Sequence, residues 1–158
     1  MEKFVLIQGG DFQKIREKIR ENRGKKIIFS GDNDELNKKV LEKENINVLL
    51  LTLSGRKDRL KQRDSGFNHV LARLAKKKNV VIGINFNEVI NSKAEEKSKI
   101  LARVRQNIKL CNKNKLKMKF ISKENSPKRG QVKEKKDSYD LKSLGLILGM
   151  PTWMTRDL

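Results

Sequence analysis

The sequence predicts an α/β fold made of parallel βα repeats. Short apolar runs recur along the chain, and amphipathic helical patterns stand between successive runs. The third run, Asn47-Val48-Leu49-Leu50-Leu51-Thr52-Leu53, is apolar on both faces, as a central parallel strand must be. Units of this kind in series build a parallel sheet with right-handed crossovers.

Each element follows from its own pattern. Phe4-Val5-Leu6-Ile7 is the first strand. Asp11 caps the next helix and sets Phe12, Ile15 and Ile19 on one face. Lys26-Ile27-Ile28-Phe29-Ser30 is the second strand, and a helix through Leu36, Val40 and Leu41 follows with Asp32 or Asn33 as its cap. After the third strand comes a basic loop, Ser54-Gly55-Arg56-Lys57-Asp58-Arg59-Leu60-Lys61-Gln62-Arg63. It leads into a helix over 66–78, with Asp64 or Ser65 as cap and Phe67, Val70, Leu71, Leu74 and Ala75 as its apolar stripe. His69 falls opposite that stripe, and Lys76, Lys77 and Lys78 suit the helix's negative end. Val80-Val81-Ile82-Gly83-Ile84 is the fourth strand. A long helix over 94–112 buries Ile100, Leu101, Val104, Ile108 and Cys111, with Arg103 and Arg105 flanking the stripe. Residues 117–122 form the fifth strand and residues 123–136 a charged linker. Asp137 or Ser138 caps a last helix through Leu141, Leu144 and Leu148, which closes near Gly149 and stops at Pro151. Five strands are too few for a complete eight-stranded barrel, so the choice lies between an open sheet and part of a barrel.

A chain of 158 residues suffices for one domain with one core. Its net charge of +19 is concentrated rather than scattered. Residues 53–79 hold 9 Lys/Arg against 2 Asp/Glu, and residues 109–136 hold 11 against 2. Two such patches point to a polyanionic partner, above all nucleic acid. Aromatics make up only 5% of the chain, which argues against a reader that stacks single strands on aromatic platforms. The available chemistry is phosphate contact by Arg and Lys, which reads shape and charge. The single cysteine, Cys111, reads as a small core residue and permits no disulfide within the chain, which suits a reducing compartment. No apolar run approaches a membrane span, and the opening residues do not form a signal peptide, so the expected location is cytoplasmic with no membrane partner.

Hydrolytic chemistry lacks its residues. One histidine cannot furnish a His-based binuclear metal site. A carboxylate-only Mg²⁺ site among Asp11, Asp32, Asp58 and Asp64 is the remaining metal option, and helix capping is the favoured reading of Asp11, Asp32 and Asp64. Ser65 and His69 are the only Ser/His proximity, with no carboxylate evident to orient the imidazole.

Several segments together carry a family resemblance. Residues 63–75, Arg-Asp-Ser-Gly-Phe-Asn-His-Val-Leu-Ala-Arg-Leu-Ala, precede Asn79-Val80-Val81-Ile82-Gly83-Ile84-Asn85-Phe86. Further on stand Arg103-Val104-Arg105-Gln106-Asn107-Ile108-Lys109-Leu110 and then Tyr139-Asp140-Leu141-Lys142-Ser143-Leu144-Gly145-Leu146-Ile147-Leu148-Gly149-Met150, with a fainter match at Asp34-Glu35-Leu36-Asn37-Lys38-Lys39. In this order they resemble the ribonuclease P protein component 3 family, the PHP-like TIM-barrel subunit of archaeal and eukaryotic ribonuclease P and of the related MRP particle.

The resemblance implies a PHP-like TIM barrel, here shortened or incomplete at the N-terminus, as a single barrel-like domain over 1–150 with a C-terminal tail over 151–158. It implies an RNA-binding subunit of the enzyme that removes 5′ leaders from precursor tRNA. Catalysis then resides in the RNA component, Mg²⁺ sits on that RNA, and the protein contributes no catalytic residue and holds no metal or cofactor. The implied partners are ribonuclease P RNA, precursor tRNA, the component 2 (Pop5-like) subunit and the other ribonuclease P proteins. The basic character nominates Arg56, Lys57, Arg59, Lys61 and Arg63 for phosphate contact, then Arg103, Arg105, Lys123, Lys128 and Arg129. A helix surface around Asn68, His69 and Ala72 is the candidate protein-docking site. The competing function is an independent β/α-barrel hydrolase acting on phosphorylated substrates or RNA.

Overall fold

The computed structural model describes residues 4–122 and 138–158. Strands β1 (Phe4–Gln8), β2 (Lys26–Ser30), β3 (Val48–Leu51), β4 (Val81–Asn85) and β5 (Met118–Ile121) form one sheet in sequence order. Every neighbouring pair is parallel, and β3 lies at the centre, as its doubly apolar sequence requires. The helices are α1 (Phe12–Glu21), α2 (Asp34–Lys43), α3 (His69–Lys77), α4 (Phe86–Asn91), α5 (Ala94–Lys113), α6 (Ser138–Leu148) and the single turn α7 (Thr152–Thr155).

The alternation of each strand divides the apolar residues between two faces. Ile7, Ile27, Phe29, Leu49, Leu51, Ile82, Ile84 and Met118 join one core with the apolar stripes of the helices. Ile28, Val48 and Leu50 form a second, smaller cluster with Leu6, Val81 and Ile121, and every member of it comes from a strand. Gly83 leaves room for it, since a Cβ there would stand 3.0 Å from Val48 Cγ1 and 3.1 Å from both Leu50 and Ile121. Helices packed on one face of a sequentially ordered parallel sheet describe an arc of a βα barrel. The arc is not closed into a ring among the described residues.

The caps sort the sequence alternatives. Asp11 caps α1, accepting from the Gln13 amide at 3.1 Å. Asn33 caps α2, accepting from the Leu36 amide at 2.8 Å, while Asp32 instead accepts from the Gly10 amide at 3.1 Å. Helix α3 begins later than its periodicity suggests. Gly66 has φ +67°, a left-handed conformation that interrupts the helix, and Asn68 is the cap, accepting from the Leu71 amide at 3.0 Å. Asp64 and Ser65 shape the preceding turn: Asp64 Oδ1 accepts from the Gly66 amide, and the Ser65 hydroxyl bonds the backbone of Phe67. Phe67 is therefore buried from a turn and does not share the helix's register. The buried face of α3 is Leu71, Ala72 and Ala75, whereas Val70 is 62% exposed.

Residues 151–158, read from sequence as a tail, contain α7, and its Met154 belongs to the main core. Trp153 donates from Nε1 to Asn112 Oδ1 at 3.2 Å and lies under Lys115. Cys111 is fully buried, and desolvation pushes its thiol up to about 12, so it is an inert core residue.

Candidate nucleic-acid interface

Strand β3 ends at Leu51, so residues 52–68 leave the sheet at its C-terminal edge, where βα folds present their functional loops. The connection is far longer than the two to six residues typical of βα loops. A cationic segment of that length repels itself, and side chains from other elements hold it. Glu88 of α4 accepts from the Leu53 amide at 3.0 Å and from the Ser54 hydroxyl at 3.2 Å. Glu96 of α5 accepts from the Gly55 amide at 2.9 Å. Gln106 of α5 donates to the Arg63 carbonyl at 3.3 Å.

Arg103 of α5 makes the densest set of bonds. Nη1 donates to the Leu53 carbonyl at 2.9 Å, Nη2 to the Arg56 carbonyl at 2.8 Å, and Nε and Nη2 to Asp58 Oδ1 at 3.2 and 3.0 Å. Arg56 completes the framework from within the loop. Its Nη1 and Nη2 grip both oxygens of Asp34 at 3.1 and 2.7 Å, Nη1 also reaches Asp64, and Nε donates to the Thr52 carbonyl. The hydrogen bond to Asp34 raises the Arg56 pKa above its usual value. These are charge-assisted bonds, one of them bidentate, in geometry that fixes a backbone path. At the apex Arg59 and Gln62 exchange reciprocal amide–carbonyl bonds at 2.9 and 3.3 Å, so the tip is a closed turn.

The structure thus divides the cations nominated from sequence. Lys57, Arg59, Lys61 and Arg63 are exposed on the held loop, and Arg105 is exposed on α5, donating to the Ile147 carbonyl at 3.4 Å. Arg56 is turned inward, its side chain only 17% exposed. Arg103 must be corrected: at 1% exposure it is the largest fully buried side chain and cannot present its guanidinium to a phosphate. Its burial has a signal in the sequence. Ile100, Arg103, Val104, Asn107, Ile108 and Cys111, the buried residues of α5, follow one helical register. Taking only apolar residues for the stripe puts Leu101 in place of Arg103 and Asn107. Lys123, Lys128 and Arg129 lie outside the described residues.

The docking surface expected around Asn68, His69 and Ala72 also changes. Asn68 and His69 are exposed at the start of α3, with Asn68 engaged as its cap, but Ala72 is fully buried and faces the core. Sequence reasoning missed Asp34, Glu88, Glu96 and Gln106 as loop supports. All four act across 22 to 43 residues of separation, which no local pattern reports.

Two clefts flank the loop. One is lined by Asp34, Glu35 and Asp64 as well as by Arg59 and Arg63. The other, between the loop and the α5–α6 surface, is lined by Lys61, Arg63, Arg105, Lys109, Ile147 and others, with no carboxylate among its described lining residues. The second cleft is therefore cationic without an opposing carboxylate along its described lining. The aspartates considered for metal binding each accept from a backbone amide: Asp11 from Gln13, Asp32 from Gly10, Asp58 from Asp64 and Asp64 from Gly66. Among the described residues no three His, Cys, Asp or Glu side chains converge as a metal site.

Acid should loosen the turn between Asp58 and Asp64. The Asp64 amide, and then Arg103, hold the Asp58 carboxyl below the usual carboxylate range. A depressed folded pKa contributes stability that is present above the ordinary aspartate value near ~4 and is lost as pH falls through the folded value. The protection factor of the Asp64 amide, its NMR exchange rate relative to the intrinsic rate at the same pH, is expected to be high at neutral pH and to fall on acidification below about pH 4. Asp58→Asn should abolish that acid-dependent step.

Fold and site together define a class: an arc of parallel βα barrel that displays a buttressed cationic loop beside a carboxylate-free cleft. Residues 9–156 match the model of the family described as RNase P subunit p30, and the chain belongs to that family. It is 32% identical over 111 residues to ribonuclease P protein component 3 of Methanocaldococcus jannaschii, covering 69% of this chain and 45% of that protein. It is 32% identical over 108 residues to the component 3 protein of Methanothermobacter thermautotrophicus, covering 67% of this chain and 42% of that protein. The chain thus spans less than half the length of these relatives. A chain in the cryo-EM structure of archaeal ribonuclease P with mature tRNA superposes with a TM-score of 0.72 at 27% identity, covering 96% of this chain and 62% of that one. No helix among the described residues is long and apolar enough to cross a membrane.

Proposed function

We propose that this chain is an RNA-binding subunit of ribonuclease P that supports removal of 5′ leaders from precursor tRNA. The observation that carries the reading is the cationic loop itself: Lys57, Arg59, Lys61 and Arg63 point to solvent while Arg103, Arg56, Glu88 and Glu96 fix the backbone beneath them. A surface prepared in this way loses little conformational entropy on meeting a phosphate backbone. Family membership and the superposition on a chain of a tRNA-bound archaeal ribonuclease P support the same assignment. In this reading ribonuclease P RNA and precursor tRNA are the nucleic-acid partners, and the component 2 (Pop5-like) subunit and the other ribonuclease P proteins are the protein partners. Mg²⁺ and the chemical step belong to the RNA component, and the site of action is cytoplasmic.

The test is reconstitution of precursor-tRNA cleavage with the cognate RNA and partner proteins, with and without this chain. Cleavage is expected to depend on the chain at low Mg²⁺ and to vanish when the RNA is withheld. Cleavage by the protein alone with Mg²⁺ or Mn²⁺ would instead establish an independent hydrolase. Binding should weaken steeply with salt, because each neutralised phosphate releases counterions. Replacing Lys57, Arg59, Lys61 and Arg63 together by Gln is expected to reduce the slope of log K against log salt by about 3 to 3.5, at roughly 0.7–0.9 for each of four phosphates no longer neutralised. An unchanged slope would remove the loop from the interface.

A further inference from the structure

We propose that the carboxylate-free groove beside the loop apex holds an unpaired stretch of RNA, in which Leu60 and Ile147 pack against base faces while the surrounding cations hold phosphates. This rests on the RNA-binding reading above and deepens it to a class of RNA structure. The groove is lined by Lys61, Arg63, Arg105 and Lys109, and no described carboxylate opposes them, so its occupant is a polyanion. Cations alone would suit the backbone of a continuous duplex. The groove has a second property that a duplex does not use. Ile147 is 71% exposed on its wall, and Leu60, next to Lys61 at the apex, is fully exposed.

A single exposed leucine is ordinary. This one stands at the apex of a turn closed by reciprocal bonds between Arg59 and Gln62, on a loop clasped by Arg103. Ile147 is tethered on the groove wall, since Arg105 donates to its carbonyl at 3.4 Å. Rigid aliphatic surfaces flanked by cations match a nucleotide whose base is out of its stack: the base face covers apolar side chains and the phosphates on either side meet Lys and Arg. In an A-form duplex the bases are stacked and the deep groove is closed to side chains, so Leu60 and Ile147 would contribute nothing.

The experiment compares the intact chain's affinity, by fluorescence anisotropy at fixed salt, for two RNAs of equal length and charge. One is a continuous duplex and the other carries a central unpaired loop of several nucleotides. The chain is expected to prefer the looped RNA by about tenfold, the scale of covering one exposed aliphatic side chain. Leu60→Ser with Ile147→Ser should erase that preference and leave duplex affinity and salt slope unchanged, since both sites are exposed and neither carries charge. Lys61→Gln with Arg63→Gln should weaken both complexes and lower the slope. Equal affinity of the native chain for the two RNAs, or a preference that survives the double serine variant, would overturn the groove proposal while leaving RNA binding intact. Failure to bind either RNA at low salt would overturn the RNA reading itself, and the groove proposal with it. In the reconstituted particle, a photo-crosslinker at position 60 should attach to RNA; attachment to a protein subunit would assign the groove to a protein.

Discussion

Arg103→Met is expected to destabilise the protein by about 3 kcal/mol, the scale of leaving one or two buried carbonyls without a donor. RNA affinity should fall as well, although the Arg103 side chain is 1% exposed and beyond reach of any phosphate. The guanidinium satisfies the carbonyls of Leu53 and Arg56 and one oxygen of Asp58. Methionine fills similar volume but leaves all three acceptors without this donor, and the loop keeps only the single bonds to Glu96 and Gln106 of α5. Lys57, Arg59, Lys61 and Arg63 would keep their charges and lose their relative placement. Urea unfolding measures the first effect. The second is read at a temperature where the variant remains folded, as weaker RNA binding accompanied by faster exchange of the Asp64 amide. Arg103→Lys retains the charge without the planar fork and should recover only part of either loss. Native affinity and native Asp64 exchange in folded Arg103→Met would show that the clasp does not position the loop.

Gly66→Ala should cost about 2 kcal/mol, from two sources that can be separated. The residue has φ +67°, where an L side chain costs roughly 1–2 kcal/mol. Its Cβ would also stand 2.5 Å from Asp34 Oδ1 and 2.7 Å from Arg56 Cζ, driving into the bidentate pair that ties the loop to α2. The backbone cost is independent of Asp34, whereas the clash is not. In a double-mutant cycle Asp34→Ala is therefore expected to be less damaging in the Gly66→Ala background than in the native chain. Strict additivity in thermal unfolding would place the whole cost in the backbone and leave the Arg56–Asp34 pair undisturbed.

The α/β architecture was legible because each strand carries its burial in its own composition. Val48–Leu51 is apolar on both faces and lies at the centre of the sheet. Helix α3 was legible in existence but not in its start. Phe67 falls in phase with the stripe by coincidence of spacing, and only the positive φ of Gly66 moves the cap to Asn68. The short helix α4 was missed because six residues are too few for a period to stand out: Phe86, Val89 and Ile90 stand at i, i+3 and i+4, but none of the six is fully buried. Its Glu88 nonetheless supports the loop from 35 residues away.

The basic loop was visible as a charge run, and its place after the central strand put it at the functional edge of a βα fold. Which of its cations face outward was not visible. Arg56 and Arg63 read alike as letters in a charge run, yet one is locked between Asp34 and Asp64 and the other is exposed.

The sequence by itself determined the βα order, the central strand, the separation of charge into patches and the family, because these are properties of runs and periods along one chain. Only the tertiary structure decided which arginines bind carboxylates and carbonyls and which remain for a partner. A guanidinium's fate depends on acceptors brought to it by other elements: Asp34 from α2 reaches Arg56, and Leu53, Arg56 and Asp58 of the loop reach Arg103 on α5. Burying a charge is tolerated only where such partners converge, and that convergence exists only after the chain has folded.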